Sequence, residues 1–91
     1  MNPTDRIAAA PKVVATPLPG ELVLLQLDAG YYYGLDEIGA RSWTLLVTEG
    51  LSIAEAAAKI SEEYEATQAQ AEADLLALAA SLEQSQLVVR K

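Results

Sequence analysis

The 91-residue sequence predicts an α+β fold, a three-stranded antiparallel sheet followed by three helices. Three observations predict it. Apolar runs separated by turn-forming residues fill positions 12–35. From Asp36 onward the apolar spacing changes to a helical period. Helix-capping residues recur at Asp36, Ser52 and Thr67.

Residues 1–11 are small, polar and punctuated by proline, and are expected to be a flexible N-terminus ahead of a single domain over 12–91. Lys12 to Thr16 reads as a first strand, stopped by Pro17-Leu18-Pro19-Gly20, a run of strong turn formers. Glu21 to Leu27 is the second strand, with apolar content too continuous for two wet faces. Asp28-Ala29-Gly30 forms a hairpin loop in which Gly30 is free to take positive φ. Tyr31 to Leu35 returns antiparallel as the third strand. Alternation puts Tyr31, Tyr33 and Leu35 on one face and Tyr32 and Gly34 on the other.

Asp36 is a good N-cap for a helix to about Thr48, ended by Gly50, with Ile38, Ser42, Leu45 and Leu46 on one stripe beside Trp43. Ser52 and Glu55 form a capping box that opens a second helix from Ile53 to about Tyr64. Thr67 and Gln70 repeat that logic for a third, running to about Gln84 with a stripe of Ala71, Leu75, Leu78, Ala79 and Leu82. The tail, Leu87 to Lys91, either adds a short strand or lies across the core.

Composition narrows the function classes. The chain has no Cys, which removes disulfides, thiolate nucleophiles and thiolate metal sites, and no His, the commonest general base and metal ligand. No metal or cofactor is expected. No apolar stretch reaches the ~18–20 residues needed to span a bilayer, and no signal core follows the N-terminus, so a soluble cytoplasmic protein is expected. A formal net charge of −7 disfavours nucleic acid and anionic membranes as partners.

Four of the five aromatic residues are tyrosines, and three of those stand together at 31–33. They serve either as ordinary strand residues with rings in the core or as part of an edge that binds an extended peptide. Tyr31 and Tyr33 divide between core and cleft in a way the sequence leaves open. Asp74, beside the apolar stripe of the third helix, is either a solvated boundary residue or a carboxylate at the rim of a cleft. Leu75, Leu78 and Leu82 are core residues first, and one or two of them could also floor that cleft.

The ordered set Tyr32-Tyr33-Gly34-Leu35-Asp36, Gly39-Ala40, Trp43, Leu45-Leu46, Gly50-Leu51-Ser52-Ile53, Glu55-Ala56, Ile60, Glu63-Tyr64, Asp74-Leu75, Leu78, Leu82 and Leu87-Val88 resembles the PqqD-like proteins. These are the precursor-peptide recognition elements of ribosomal peptide biosynthesis. The resemblance spans residues 12–89, and the small acidic form is most similar to the stand-alone leader-binding proteins of lasso-peptide gene clusters. Two positions depart from the pattern: Asp36 where the family often has Asn, and Gln86 where it usually has Gly before the Leu-Val pair. The resemblance implies a winged-helix-like fold without enzymatic activity. It implies that a leader peptide adds as an antiparallel strand beside residues 31–35, against the third helix, contacting Tyr31, Tyr32, Tyr33, Gly34, Leu35, Asp74, Leu75, Leu78 and Leu82. The implied partners are a cysteine-type leader peptidase and an ATP-dependent macrocyclase, or, in another pathway, a radical SAM enzyme.

Rival readings fare worse. A winged helix that binds DNA needs a basic recognition helix, and residues 65–86 contain no Lys or Arg. Ser52 at a helix start is similar to the modified serine of acyl carrier proteins, but the Asp-Ser-Leu signature is absent and capping accounts for it. No paired-carboxylate spacing, phosphate loop or nucleophile elbow supports an enzyme.

Overall fold

A computed structural model describes all residues, 1–91. The elements run β1 (Ile7–Ala9), β2 (Val13–Leu18), β3 (Glu21–Gln26), β4 (Tyr31–Leu35), α1 (Glu37–Trp43), a π-helical turn (Thr44–Thr48), α2 (Ile53–Glu63), α3 (Gln68–Gln84) and β5 (Val88–Arg90). The three strands expected over residues 12–35 are β2, β3 and β4. They form an antiparallel sheet in that order, with Leu24 opposite Tyr33 and Leu22 opposite Leu35.

The capping signals act as their chemistry requires. The Asp36 carboxylate accepts the Gly39 N–H at 2.8 Å. At α2, Ser52 Oγ accepts the Glu55 N–H, and the Glu55 carboxylate accepts the Ser52 N–H, a complete capping box. The Ser52 N–H first, then the Ser52 hydroxyl and the charge of Arg6, hold the Glu55 carboxyl below its ordinary pKa. Thr67 caps α3 by accepting the Gln70 N–H, without the reciprocal bond from Gln70. The first helix continues past Trp43 by widening into the π-turn, where the Glu49 N–H reaches the Thr44 carbonyl five residues back. This insertion keeps Leu45 and Leu46 both fully buried.

Two expectations change. Residues 7–9 are a strand, not part of a flexible leader: β1 pairs antiparallel with β5 in a separate two-stranded sheet. The reason is Ile7, which is wholly buried and joins the same apolar cluster as Leu24, Leu46 and Ile53. The polar composition around it hid one core residue. Pro17 and Leu18 extend β2 instead of stopping it, so the turn is confined to Pro19-Gly20.

Arg41 ties α1 to α2. Its guanidinium donates two bonds to the Glu63 carboxylate, at 2.8 and 2.7 Å, and lies 3.7 Å from Glu49. The bidentate pairing raises the Arg41 pKa and lowers that of Glu63.

Candidate functional site

The hydrogen-bond phase of the sheet decides which backbone groups are free. Leu27 N–H donates to the Lys12 carbonyl at 3.0 Å, immediately beyond the Val13–Gln26 pair. Narrow, bonded pairs alternate along an antiparallel ladder. Leu25 and Val23 therefore turn their amides toward β2, and Gln26, Leu24 and Leu22 turn theirs toward β4. On β4 the partners of those three, Tyr31, Tyr33 and Leu35, bond inward. Tyr32 and Gly34 are left with N–H and C=O groups directed at the open edge. The same phase leaves Val13, Ala15 and Pro17 facing the outer edge of β2. Pro17 has no N–H, so it blunts that edge and leaves β4 the better template for another strand.

Beside the β4 edge lies a cleft of about 620 Å³ between β4 and α1 on one side and α2 and α3 on the other. Tyr33 and Leu35 form its strand wall, while Ile60, Leu75 and Leu78 form much of its apolar floor. α1 approaches closely because Gly39 lacks a side chain: a Cβ there would stand 3.2 Å from the Leu35 side chain. Ser42, buried in the cleft wall, donates to the Ile38 carbonyl at 2.7 Å and is satisfied.

Of the residues singled out by sequence, Tyr33, Gly34, Leu35, Asp74, Leu75 and Leu78 come together around this cleft. Three do not line it. Tyr31 sits half-buried at the start of β4. Tyr32 projects from the opposite face of the sheet, 77% exposed, although its backbone faces the free edge. Leu82 is fully buried in the core. Sequence reasoning missed Ile38, Gly39, Ile60, Tyr64 and Gln70 as lining residues. Ile38 was legible only as an apolar stripe residue; it is 46% exposed because its stripe position overhangs the cleft.

The cleft is acidic and without cations. Asp36, Glu65 and Asp74 line it, and none of the six Lys and Arg residues does. No group of His, Cys, Asp or Glu is arranged to hold a metal ion. No helix is long and apolar enough to cross a membrane.

Fold and cleft define a class: a small α+β domain of winged-helix-like order, with one unblunted sheet edge running along an apolar groove. The chain belongs to the PqqD family, whose model, coenzyme PQQ synthesis protein D, matches residues 21–88. Among solved structures it is similar to TbiB1 in complex with the TbiA(β) leader peptide. That match has 34% identity and a TM-score of 0.83, covering 89% of this chain and 93% of that one. It is also similar to a lasso peptide synthetase B1 complexed with its leader peptide, at 27% identity and a TM-score of 0.86, covering 92% and 98%. No curated protein sequence matches the chain.

Proposed function

We propose that this protein is a non-catalytic adaptor of lasso-peptide biosynthesis. It binds the leader region of a ribosomally made precursor as an antiparallel strand beside β4. It then delivers the precursor, in the cytoplasm, to a cysteine-type leader peptidase and an ATP-dependent macrocyclase. The observation that carries this reading is the open backbone of Tyr32 and Gly34 running along the apolar cleft. The leader-peptide complexes formed by both structural relatives support it.

Two outward-facing residues offer up to four backbone hydrogen bonds, each worth only ~0.5–1.5 kcal/mol net. Association costs ~4–15 kcal/mol, so backbone pairing alone leaves the complex weak. Apolar anchors seated on Leu75, Leu78 and Ile60 add ~1.5–3 kcal/mol each, and two or three of them bring the dissociation constant to roughly micromolar or below. Strand pairing thus supplies orientation, and the cleft supplies selectivity. Asp74, on the cleft-facing side of α3, contributes a carboxylate to the contact.

The test is fluorescence anisotropy with a labelled leader peptide from the precursor encoded beside this protein's gene. A scrambled leader and a short DNA duplex are the controls. Saturable binding of the leader alone, at micromolar concentration or lower, is expected. A folded protein that ignores the leader, or takes up the scrambled peptide or DNA equally well, refutes the reading.

A further inference from the structure

We propose that the peptide segment docked beside β4 carries a Lys or Arg side chain that pairs with the cleft carboxylates, at a position an even number of residues from an apolar anchor. This rests on the leader-binding reading and specifies the chemistry of the leader.

Three carboxylates converge on the cleft from three segments: Asp36 from the end of β4, Glu65 from the connection between α2 and α3, and Asp74 from α3. Asp36 spends one oxygen on the Gly39 N–H. Glu65 and Asp74 take part in none of the protein's side-chain hydrogen bonds or ion pairs. Four of the six cations are engaged elsewhere, Arg6 with Glu55, Lys12 with Asp28, Arg41 with Glu63, and Arg90 with Glu83. Glu21, Glu37, Glu62 and Glu72 are unpaired elsewhere on the surface, so what sets the cleft apart is that three carboxylates share one apolar groove that no Lys or Arg lines.

An apolar floor under an acidic rim matches one kind of side chain better than any other. The aliphatic stem of Lys or Arg lies on apolar surface while its charged head reaches outward to the carboxylates. A guest acid in the same place meets three like charges, so the rim also rejects acidic segments. Strand geometry fixes the spacing. The guest's amides lie in the plane of the sheet, so only its side chains reach the rim. Those that enter the cleft are of one parity, level with Tyr33 and Leu35. The cation and the apolar anchors therefore share that parity.

The experiment uses the full chain and the synthetic, fluorescein-labelled leader of the precursor encoded beside its gene, with each Lys and Arg replaced singly by norleucine. One replacement at even spacing from an apolar anchor is expected to weaken binding roughly two- to fivefold. That loss shrinks between about 50 mM and about 500 mM NaCl, because exposed pairs are screened. A protein carrying both Glu65→Gln and Asp74→Asn, checked for folding by circular dichroism, binds the parent leader more weakly and distinguishes the norleucine peptide less, only Asp36 remaining at the rim. The inference is overturned if the leader binds tightly and every replacement is silent, or if the doubly substituted protein keeps full affinity. A leader that binds but has no Lys or Arg of the required parity overturns it as well. If the unmodified leader does not bind at all, the leader-binding reading fails, and this inference fails with it.

Discussion

Gln86 is one of two non-glycine residues, with Lys12, held at positive φ. Its φ of 61° lies in the left-handed region, which glycine enters without a Cβ penalty. The conformation is imposed by a Schellman ending of α3: the Leu87 N–H returns to the Leu82 carbonyl and the Gln86 N–H to that of Glu83. Leu82 and Leu87, which close the motif, are both fully buried. The Gln86 carbonyl also accepts the Gln26 Nε2–H at 2.7 Å, giving a buried amide its partner. That bond uses only the backbone of residue 86. Gln86→Gly therefore keeps every bond and removes the strain. An increase in stability of about 1 kcal/mol is expected, read as a higher urea midpoint at unchanged slope. An unchanged midpoint would mean that the extra freedom of glycine in the unfolded chain cancels the gain.

At the scale of elements, β4 shows how far the sequence could be read. Its limits, its facing pattern and its cap at Asp36 follow from alternation and turn chemistry, and the structure has them as expected. The identity of its outward amides was not legible, because the phase of an antiparallel ladder depends on the neighbouring strand and not on the strand itself. The phase separates two substitutions that look equivalent in sequence. Tyr33→Pro deletes a donor that bonds Leu24 within the sheet and also disturbs the cleft wall. Tyr32→Pro deletes a donor directed at the open edge, from a residue whose side chain is largely in water. Tyr32→Pro is expected to lower leader affinity by about tenfold with a near-native circular dichroism spectrum, whereas Tyr33→Pro loses folded structure as well. Equal effects of the two on folding would contradict the assigned phase. The π-turn and the strand at residues 7–9 were illegible for a related reason: both exist to satisfy packing against distant elements, and neither has a local signature.

At the scale of the whole molecule, the chain's two ends hold one another and the helices in place. β1 and β5 pair in register from Ile7–Arg90 to Ala9–Val88, and the Lys91 N–H donates to the Arg6 carbonyl. The segment before β1 docks on the start of α2: the Ile53 and Ala54 N–H groups donate to the carbonyls of Asp5 and Pro3. Arg6 adds a bond to the Gly50 carbonyl and an ion pair with Glu55. Arg90 and Glu83 bond α3 to β5 through two contacts, at 2.9 and 3.1 Å. These polar links are exposed and weak, so the apolar contacts of Ile7 and Val88 must dominate the clasp. Truncating Ile7 to Ala removes three methyl-sized groups from a fully buried site and costs about 2–5 kcal/mol. A domain of this size has roughly 5–14 kcal/mol of stability to lose, so the variant should show a much lower denaturation midpoint. No residue of β1 or β5 lines the cleft. Leader affinity measured well below that midpoint should therefore match the parent protein. A parallel loss of affinity in the folded variant would show instead that the clasp sets the distance between β4 and α3, coupling the chain's ends to its groove.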